Sequence, residues 1–384
     1  MLTPAPEPDR RVLRSLRQIG VGRVLHAAHW GGCATCLATL AGSLGTRWWV
    51  FDLLSHFRVH YAVILAMCTS GLLLAKPRSR CLMPLVGLLF TLSILWGGSK
   101  PVPHIASVAA PTRLLSINVY AGNQRIQTIE DYVQRVDPDL LVLMEITPRW
   151  QAALDRLAQR YPHHSVRLSP TPFGIGVFSR LPVESSTVLE LGGSGVPAIA
   201  TRLRHGRQSI ELLAVHTLPP ISARYSAIRN HQLDDLAAHA QRCTVPLIVI
   251  GDLNITPWSP WFRQLLDRSG LLDTRNGFGI QPSWPARYRG LGIPIDHCLV
   301  SPHCIIDSRS CGPDLGSDHR PVICDFGLSD PDDRTHDCAG SFPQAAWMLR
   351  LIDHLWLHVA ADADRLADVR NSPRDPDRFR METV

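Results

Sequence analysis

Residues 247–258 read "LIVIGDLNITPW". Four apolar residues, three of them β-branched, have the character of a buried strand. The run ends on an acid and an amide, Asp252 and Asn254, which at a spacing of two on extended chain share one side and can address one object. An Asx turn capping the helix that "TPWSPWFRQLL" would begin accounts for the same pair. Other apolar runs end alike. "LLSINVY" delivers Asn118, "LLVLMEI" delivers Glu145 and "LLAVHTLPP" delivers His216, while "IPIDHCLV" opens on Asp296 and "LGSDHRPV" sets Asp318 and His319 before a last strand. Any one of these has a plain structural explanation, such as a strand-end histidine satisfied by a backbone carbonyl. Carboxylates, amides and imidazoles gathered at one rim of an apolar scaffold are what an oxygen-ligand metal site with acid–base partners requires.

The elements that must position them alternate. After strand "LLSINVY" come helix "IQTIEDYVQRV", strand "LLVLMEI" and helix "TPRWQAALDRLAQRY", with Thr147 as cap and Pro148 at its first position. "FGIGVFSR" and "AIATRLRHGRQSIELLAVH" follow as strands, the second a pair joined at His-Gly, and "SARYSAIRNHQLDDLAAHAQR" is a helix. "IDHCLVS", "CIIDSRS" and "PVICDF" close the series. This mixture predicts an α/β domain over 112–328, large enough to bury its own core. No internal repeat is visible.

The first hundred residues differ. They account for much of the 45% hydrophobic content. Segments near 24–46, 59–75 and 81–98 are free of Asp, Glu, Lys and Arg over most of their length, and each has roughly the length that crosses a bilayer core of about 30 Å. The first is rich in Gly, Ala and Thr, which suits close helix contacts inside a membrane. "RWWVFDLLSHFR" reads as an interfacial aromatic belt. Arg10, Arg11, Arg14, Arg17 and Arg23 precede the first span, and Lys76, Arg78 and Arg80 lie between the second and third. The positive-inside rule then leaves both clusters in the cytoplasm and the α/β domain outside, in the periplasm or extracellular space, as part of a multi-pass membrane protein. Residues 1–110 hold eleven Lys/Arg against three Asp/Glu, whereas 111–330 hold 21 against 20, so the net charge of +6 follows topology and gives no support to a nucleic-acid surface. A Pro-rich tether occupies 99–111, and 329–384 form a tail with an amphipathic helix near 343–368. Cys304 and Cys311 bound one strand, too far apart for a disulfide, and Cys298 and Cys324 read as buried thiols.

The series INxY, MEI, GxGVFSRLPV, VHTLPP, GDLN, IDH and GSDHRPV resembles the endonuclease/exonuclease/phosphatase superfamily over about 112–328, and the apolar front resembles its membrane-anchored bacterial members. The resemblance implies a four-layer α/β sandwich, two mixed sheets flanked by helices, with the site at one rim. It implies Mg²⁺, or Mn²⁺ in its place, with Glu145, Asn118 and Asp318 as ligands or their immediate partners. It implies Asp252 as the group that orients or deprotonates water, Asn254 as a hydrogen-bond donor to the phosphate, and His319 fixed by Asp296 at the phosphoryl group. His216 matches a histidine of the deoxyribonuclease I and sphingomyelinase branches. The function so implied is hydrolysis of a phosphoester substrate, of lipid-like or small phosphodiester type, beside a lipid bilayer. Nucleic acid is the second reading, and an idle membrane-bound binding module the third.

Overall fold

Apolar runs without alternation need cover on both faces, and the chain supplies it with two sheets and flanking helices. The structure, a computed structural model of the chain, describes residues 10–74, 78–96 and 111–329. The expected C-terminal helix and nearly all of the tether lie outside the described residues. In chain order the elements are α1 (Arg10–Gly42), α2 (Trp49–Ser55), α3 (Arg58–Leu73) and α4 (Leu82–Trp96), the last entered through one 3-10 turn, Arg78–Cys81. Then come β1 (Thr112–Asn118), α5 (Ile126–Val136), β2 (Leu140–Met144), α6 (Gln151–Arg160), β3 (His163–Arg167), β4 (Ile175–Ser179), β5 (Val183–Glu190), β6 (Pro197–His205) and β7 (Gln208–His216). The series ends with α7 (Ala223–Arg242), β8 (Leu247–Asp252), α8 (Pro260–Ser269), β9 (Leu272–Asp273), β10 (Asp296–Val300), β11 (Cys304–Cys311) and β12 (Val322–Leu328).

Two six-stranded mixed sheets form, ordered β11-β12-β1-β2-β4-β3 and β5-β6-β7-β8-β10-β9. The pairing pattern is the same in both. One parallel pair, β1–β2 or β7–β8, sits at the centre with antiparallel neighbours outward. No trace of this repetition shows in the sequence, because topology repeats here without its residues.

Strand parity decides which way each side chain points. Leu114, Val142, Leu212, Ile250 and Cys298 meet between the sheets. Leu115, Ile117 and Leu143 turn outward against Ile129, Val133, Leu154 and Leu157 of α5 and α6. Leu213, Val249 and Leu299 turn the other way against Leu233, Leu236, Phe262 and Leu265 of α7 and α8. Each such side chain contributes about 1.5–3 kcal/mol by leaving water. The result is the four-layer sandwich. Even-numbered positions of β1, β7, β8 and β10 face the interior, so Asn118, His216, Asp252 and Asp296 all point into the space between the sheets at one end.

The front of the chain packs as three long helices. α1 and α4 run in the same direction, with Gly32 against Pro84, Gly87 against Cys36, and Thr39 Oγ1 2.9 Å from Thr91 Oγ1. Arg58 is buried at the start of α3 and donates to the Thr39 carbonyl and hydroxyl and to Ser43 Oγ. The expectation of three spans is supported only in part. Among the described residues one helix, Arg78–Trp96, is long and apolar enough to cross a membrane, and a second is obtained if α2 and α3, bent by 65° at their junction, count together. α1 is a 33-residue helix, but its arginines, histidines and small residues dilute its apolar character. The aromatic belt is also modified. Trp48 and Phe57 are exposed, yet Asp52, His56 and Arg58 of the same stretch are buried.

Candidate active site

Register sets the first row of the site. In the β7–β8 pair His216 lies opposite Asp252, and in β8–β10 Asp296 lies opposite Asp252, so the three stand side by side across the end of the second sheet. Gly251 permits the approach. A Cβ there would stand 2.0 Å from the Val215 carbonyl, and its φ of 143° suits glycine. Across the gap, Asn118 ends β1 in the first sheet, and its Nδ2 donates to Asp252 Oδ2 at 3.3 Å and to Glu145 Oε1 at 3.0 Å. The two sheets are thus joined through one amide.

Glu145 breaks parity. It follows Met144 at the end of β2 with φ 63°, a left-handed conformation rare for a non-glycine residue. This turns its carboxylate back to Asn118, while Oε2 accepts the Ala121 N–H at 2.8 Å. Tyr120 (φ 60°) and Asn254 (φ 49°) are left-handed as well, so three of the five such described residues lie on this rim. Strained backbone of this kind costs of order 1–3 kcal/mol and persists where its surroundings enforce it.

The loop before β12 completes the site. Ser317 Oγ donates to the Asn118 carbonyl at 2.7 Å and accepts the His319 N–H at 3.0 Å, which ties the loop to β1. His319 Nδ1 meets Asp296 Oδ2 at 2.8 Å, and its Nε2 faces Asp252 Oδ2 at 3.6 Å. His216 Nε2 faces the same oxygen at 3.7 Å. Neither of the longer contacts is a hydrogen bond, so Asp252 Oδ2 is ringed by polar groups that remain able to engage another partner. Asp252 Oδ1 accepts the Asn254 N–H at 2.8 Å, the expected Asx turn, but the cap of α8 is Ser259. Asn254 Nδ2 donates to the Thr217 carbonyl at 2.8 Å. Asp318 is half-buried. Its Oδ2 accepts Trp284 Nε1 at 3.2 Å, and its buried Oδ1 has no partner.

Charge follows from these contacts. Burial works against protonation of His319, but the Asp296 and Asp252 carboxylates outweigh it and raise its pKa to about 10. Burial, then the nearby Asp296, pushes Asp252 up to about 8. His216, buried and next to the His319 cation, falls to about 4 and is neutral. Burial raises Glu145.

Asp252, Asp296 and His319 bring ligand atoms within 4.8 Å of one another, yet this cluster is a poor cage for a metal. One ring nitrogen of His319 is held by Asp296, and an imidazolium clasped between two carboxylates has no lone pair to offer. Glu145 and Asp318 fit a hard divalent cation better. Their donors are carboxylate oxygens, Glu145 is raised further by Asp318 as a like charge, and Asp318 Oδ1 is a buried acceptor still to be satisfied. Asn118 stands beside them with its amide nitrogen engaged by Glu145 and Asp252 and its Oδ1 accepting the Tyr120 N–H. In this arrangement it orients the carboxylates.

Sequence reasoning selected all eight of these polar residues and missed their supports. Ser283 Oγ accepts the N–H groups of Ile295 and Asp296, both at 3.1 Å, and Arg309 donates to the Asp296 carbonyl. "SW" before a proline and "GSD" were the only local signals for Ser283, Trp284 and Ser317. His297, inside the same "IDH", points outward by parity, where Nε2 meets the Ile255 carbonyl at 2.8 Å and the ring packs on Phe262.

The sequence model of the Endonuclease/Exonuclease/phosphatase family matches residues 115–319, a span that includes every residue of the site. No curated protein matches the sequence. Among solved structures, the chain is similar to an endonuclease/exonuclease/phosphatase from Beutenbergia cavernae DSM 12333, at 21% identity over 57% of this chain and 72% of that one, with TM-score 0.48. It is similar to D. rerio TDP2 complexed with single strand DNA product, at 16% identity over 57% and 99%, TM-score 0.49. A 3' phosphatase, NExo, from Neisseria bound to product DNA hairpin gives 20% identity over 56% and 100%, TM-score 0.47.

Proposed function

Because the chain belongs to the Endonuclease/Exonuclease/phosphatase family, whose members are metal-dependent hydrolases of phosphoester bonds, we propose that it is a membrane-anchored, Mg²⁺-dependent phosphodiesterase acting on lipid-like or small phosphodiesters. The observation that carries the chemistry is the single space between the sheets into which Asn118, Glu145, His216, Asp252, Asp296, Asp318 and His319 converge. Glu145 and Asp318 would hold the divalent cation, which supplies Lewis-acid neutralisation of phosphate charge. The other steps belong to the chain. Asp252, in its ionised form, orients a water and accepts its proton. His319, kept protonated by Asp296, donates from Nε2 to the phosphoryl oxygen as charge builds there. The neutral His216 and the second amide hydrogen of Asn254 complete the ring of donors around that group.

Two features support the membrane reading. Among the described residues, nineteen of the twenty-four exposed large apolar side chains lie between Val21 and Trp96, on helices whose outward surface therefore suits lipid better than water. The stretch joining α1 to α3 and the first turn of α3 also touch the catalytic domain, through His56 Nδ1 at 3.0 Å from Thr256 Oγ1 and His60 Nε2 at 3.0 Å from the Leu291 carbonyl. The helix ends bearing Arg78 and Arg80 lie away from that contact. This arrangement supports the reading that the basic ends lie in the cytoplasm and the catalytic domain on the opposite side, periplasmic or extracellular. The near-balance of charge over 111–330 favours a substrate other than duplex DNA.

The test uses full-length protein in detergent or nanodiscs, assayed on phospholipid, small phosphodiester, phosphomonoester and DNA substrates with and without Mg²⁺. Hydrolysis of the first two that needs Mg²⁺ and is lost in Glu145→Gln is the expected result. Efficient nicking of plasmid DNA at about 150 mM salt, with lipid phosphoesters untouched, would replace this reading with a nuclease.

A further inference from the structure

Arg229 of α7 has no part in the chemistry above, yet it is fully buried and lies against Asn254, just past the end of the catalytic strand. Its three nitrogens go to three partners. Nε donates to Asn230 Oδ1 at 2.8 Å, Nη1 to the Asn254 carbonyl at 2.9 Å, and Nη2 to Asp52 Oδ2 at 2.5 Å. Asp52 belongs to α2, 177 positions away in the sequence, and is itself 2% exposed. Its other oxygen accepts Ser259 Oγ at 2.5 Å, the cap of α8. A guanidinium that served only to fasten α2 would present both arms of its fork to the carboxylate. Here one arm is spent on a backbone carbonyl of the catalytic turn.

That carbonyl belongs to a residue with little freedom left. Asn254 has φ 49°, its N–H is held by Asp252 Oδ1, and its side chain is held by the Thr217 carbonyl. Arg229 fixes the remaining polar group of the residue's main chain. A buried arginine keeps such a position only while its charge is matched, and among the described residues Asp52 is its one carboxylate partner. The place of Asp52 is secured in turn. It lies in the first turn of α2, where a negative charge is favoured, and a Cβ on Gly45 would stand 2.9 Å from its Cα, so the turn from α1 packs directly on it.

We propose that Asp52, acting through Arg229, is a positioning residue for the Asp252–Asn254 turn, so that the N-terminal helices form part of the catalytic unit. The inference rests on the reading of Asp252 and Asn254 as catalytic. Losing the carboxylate frees Arg229 to leave its buried place, the Asn254 carbonyl loses its donor, and the left-handed turn relaxes. Asp252, hydrogen-bonded to that turn, then loses its orientation toward water.

Full-length protein in detergent carrying Asp52→Asn, Arg229→Lys, both together, or Trp261→Phe provides the test. Trp261 Nε1 donates to the Gly45 carbonyl, so its variant disturbs the same junction without touching Asn254. Asp52→Asn and Arg229→Lys should each lower kcat about tenfold or more, change KM by less than about twofold, and combine without further loss. Hydrogen exchange across 252–256 should quicken in both while the β1, β2 and β7 amides stay protected. Trp261→Phe should keep wild-type kcat. Wild-type kcat and unchanged exchange at 252–256 in Asp52→Asn overturn the proposal, and so does an equal loss in Trp261→Phe, which would make intactness of the junction the cause. Should Asp52→Asn not fold, Arg229→Lys, which keeps the buried charge, decides. A wild-type protein that hydrolyses no phosphoester would sink the functional reading, and the exchange comparison would still decide this one.

Discussion

Asp252 gathers more partners than any other residue of the site. Its neighbours to either side in register are His216 and Asp296, the Asn118 amide reaches it from the opposite sheet, and its own N–H points at Met144 Sδ at 3.3 Å. Removing its ionisable carboxyl should therefore cost rate and little stability, since an amide of the same shape keeps most of the packing. Asp252→Asn, Glu145→Gln and His319→Ala should each lower kcat by about a hundredfold or more while thermal melting stays near wild type. Near-normal hydrolysis in two of the three would undo the assignment. In the proposed mechanism Asp296 acts on the substrate chiefly through His319. Asp296→Asn should lower kcat by roughly tenfold or more, and in the His319→Ala background it should lower kcat no further, because the group it orients is already gone. A clearly additive loss in that double-mutant cycle would show a second role for Asp296.

The element that holds this geometry most tightly is the β7–β8 pair, and Gly251 is its narrowest point. Gly251→Ala puts a methyl onto the Val215 carbonyl and should destabilise the domain by at least about 2 kcal/mol, read as a lower melting temperature, whereas Gly193→Ala, where a Cβ meets open space but φ is 59°, should cost less. Elements of this kind differ in how plainly the sequence shows them. α5 was legible to the residue at 126–136 because its apolar positions repeat with helical period on a polar background. α7 was equally plain, although Ser222, read as its first residue, is its cap. β5, "VESSTVLE", was not, since it is an edge strand exposed at most positions and carries no apolar run. β3 and the two-residue β9 are edge strands too. Helix α6 begins later than Thr147 suggests. A 3-10 turn, Pro148–Trp150, comes first, and the Thr147 side chain makes no capping bond. The strand-end residues of the site could be read because parity and apolar context act over a few positions. Ser283, Ser317 and the Asp52–Arg229 pair could not, because what gives each its role is a partner brought from another part of the chain.

At the scale of the whole molecule, the contacts of α2 place the α1–α3 connection and the catalytic domain on one side of the helical bundle. An alkaline-phosphatase reporter fused at Ile105 should be active and one fused at Lys76 inactive; the reverse pattern would put the catalytic domain in the cytoplasm. The strand order has a different consequence, one for the making of the protein. β12, the last described strand, lies inside its sheet between β11 and β1, and the loop just before it carries Asp318 and His319. Synthesis runs from the amino end, so β1, β2 and the whole second sheet up to β10 leave the ribosome before these two residues do. A nascent chain that has emerged only as far as Leu315 has Asp252 and Glu145 in hand and no His319 to complete them. On the proposed mechanism the nascent chain therefore has no complete site until the loop before β12 has emerged, and the segment that closes the first sheet is also the one that arms the site.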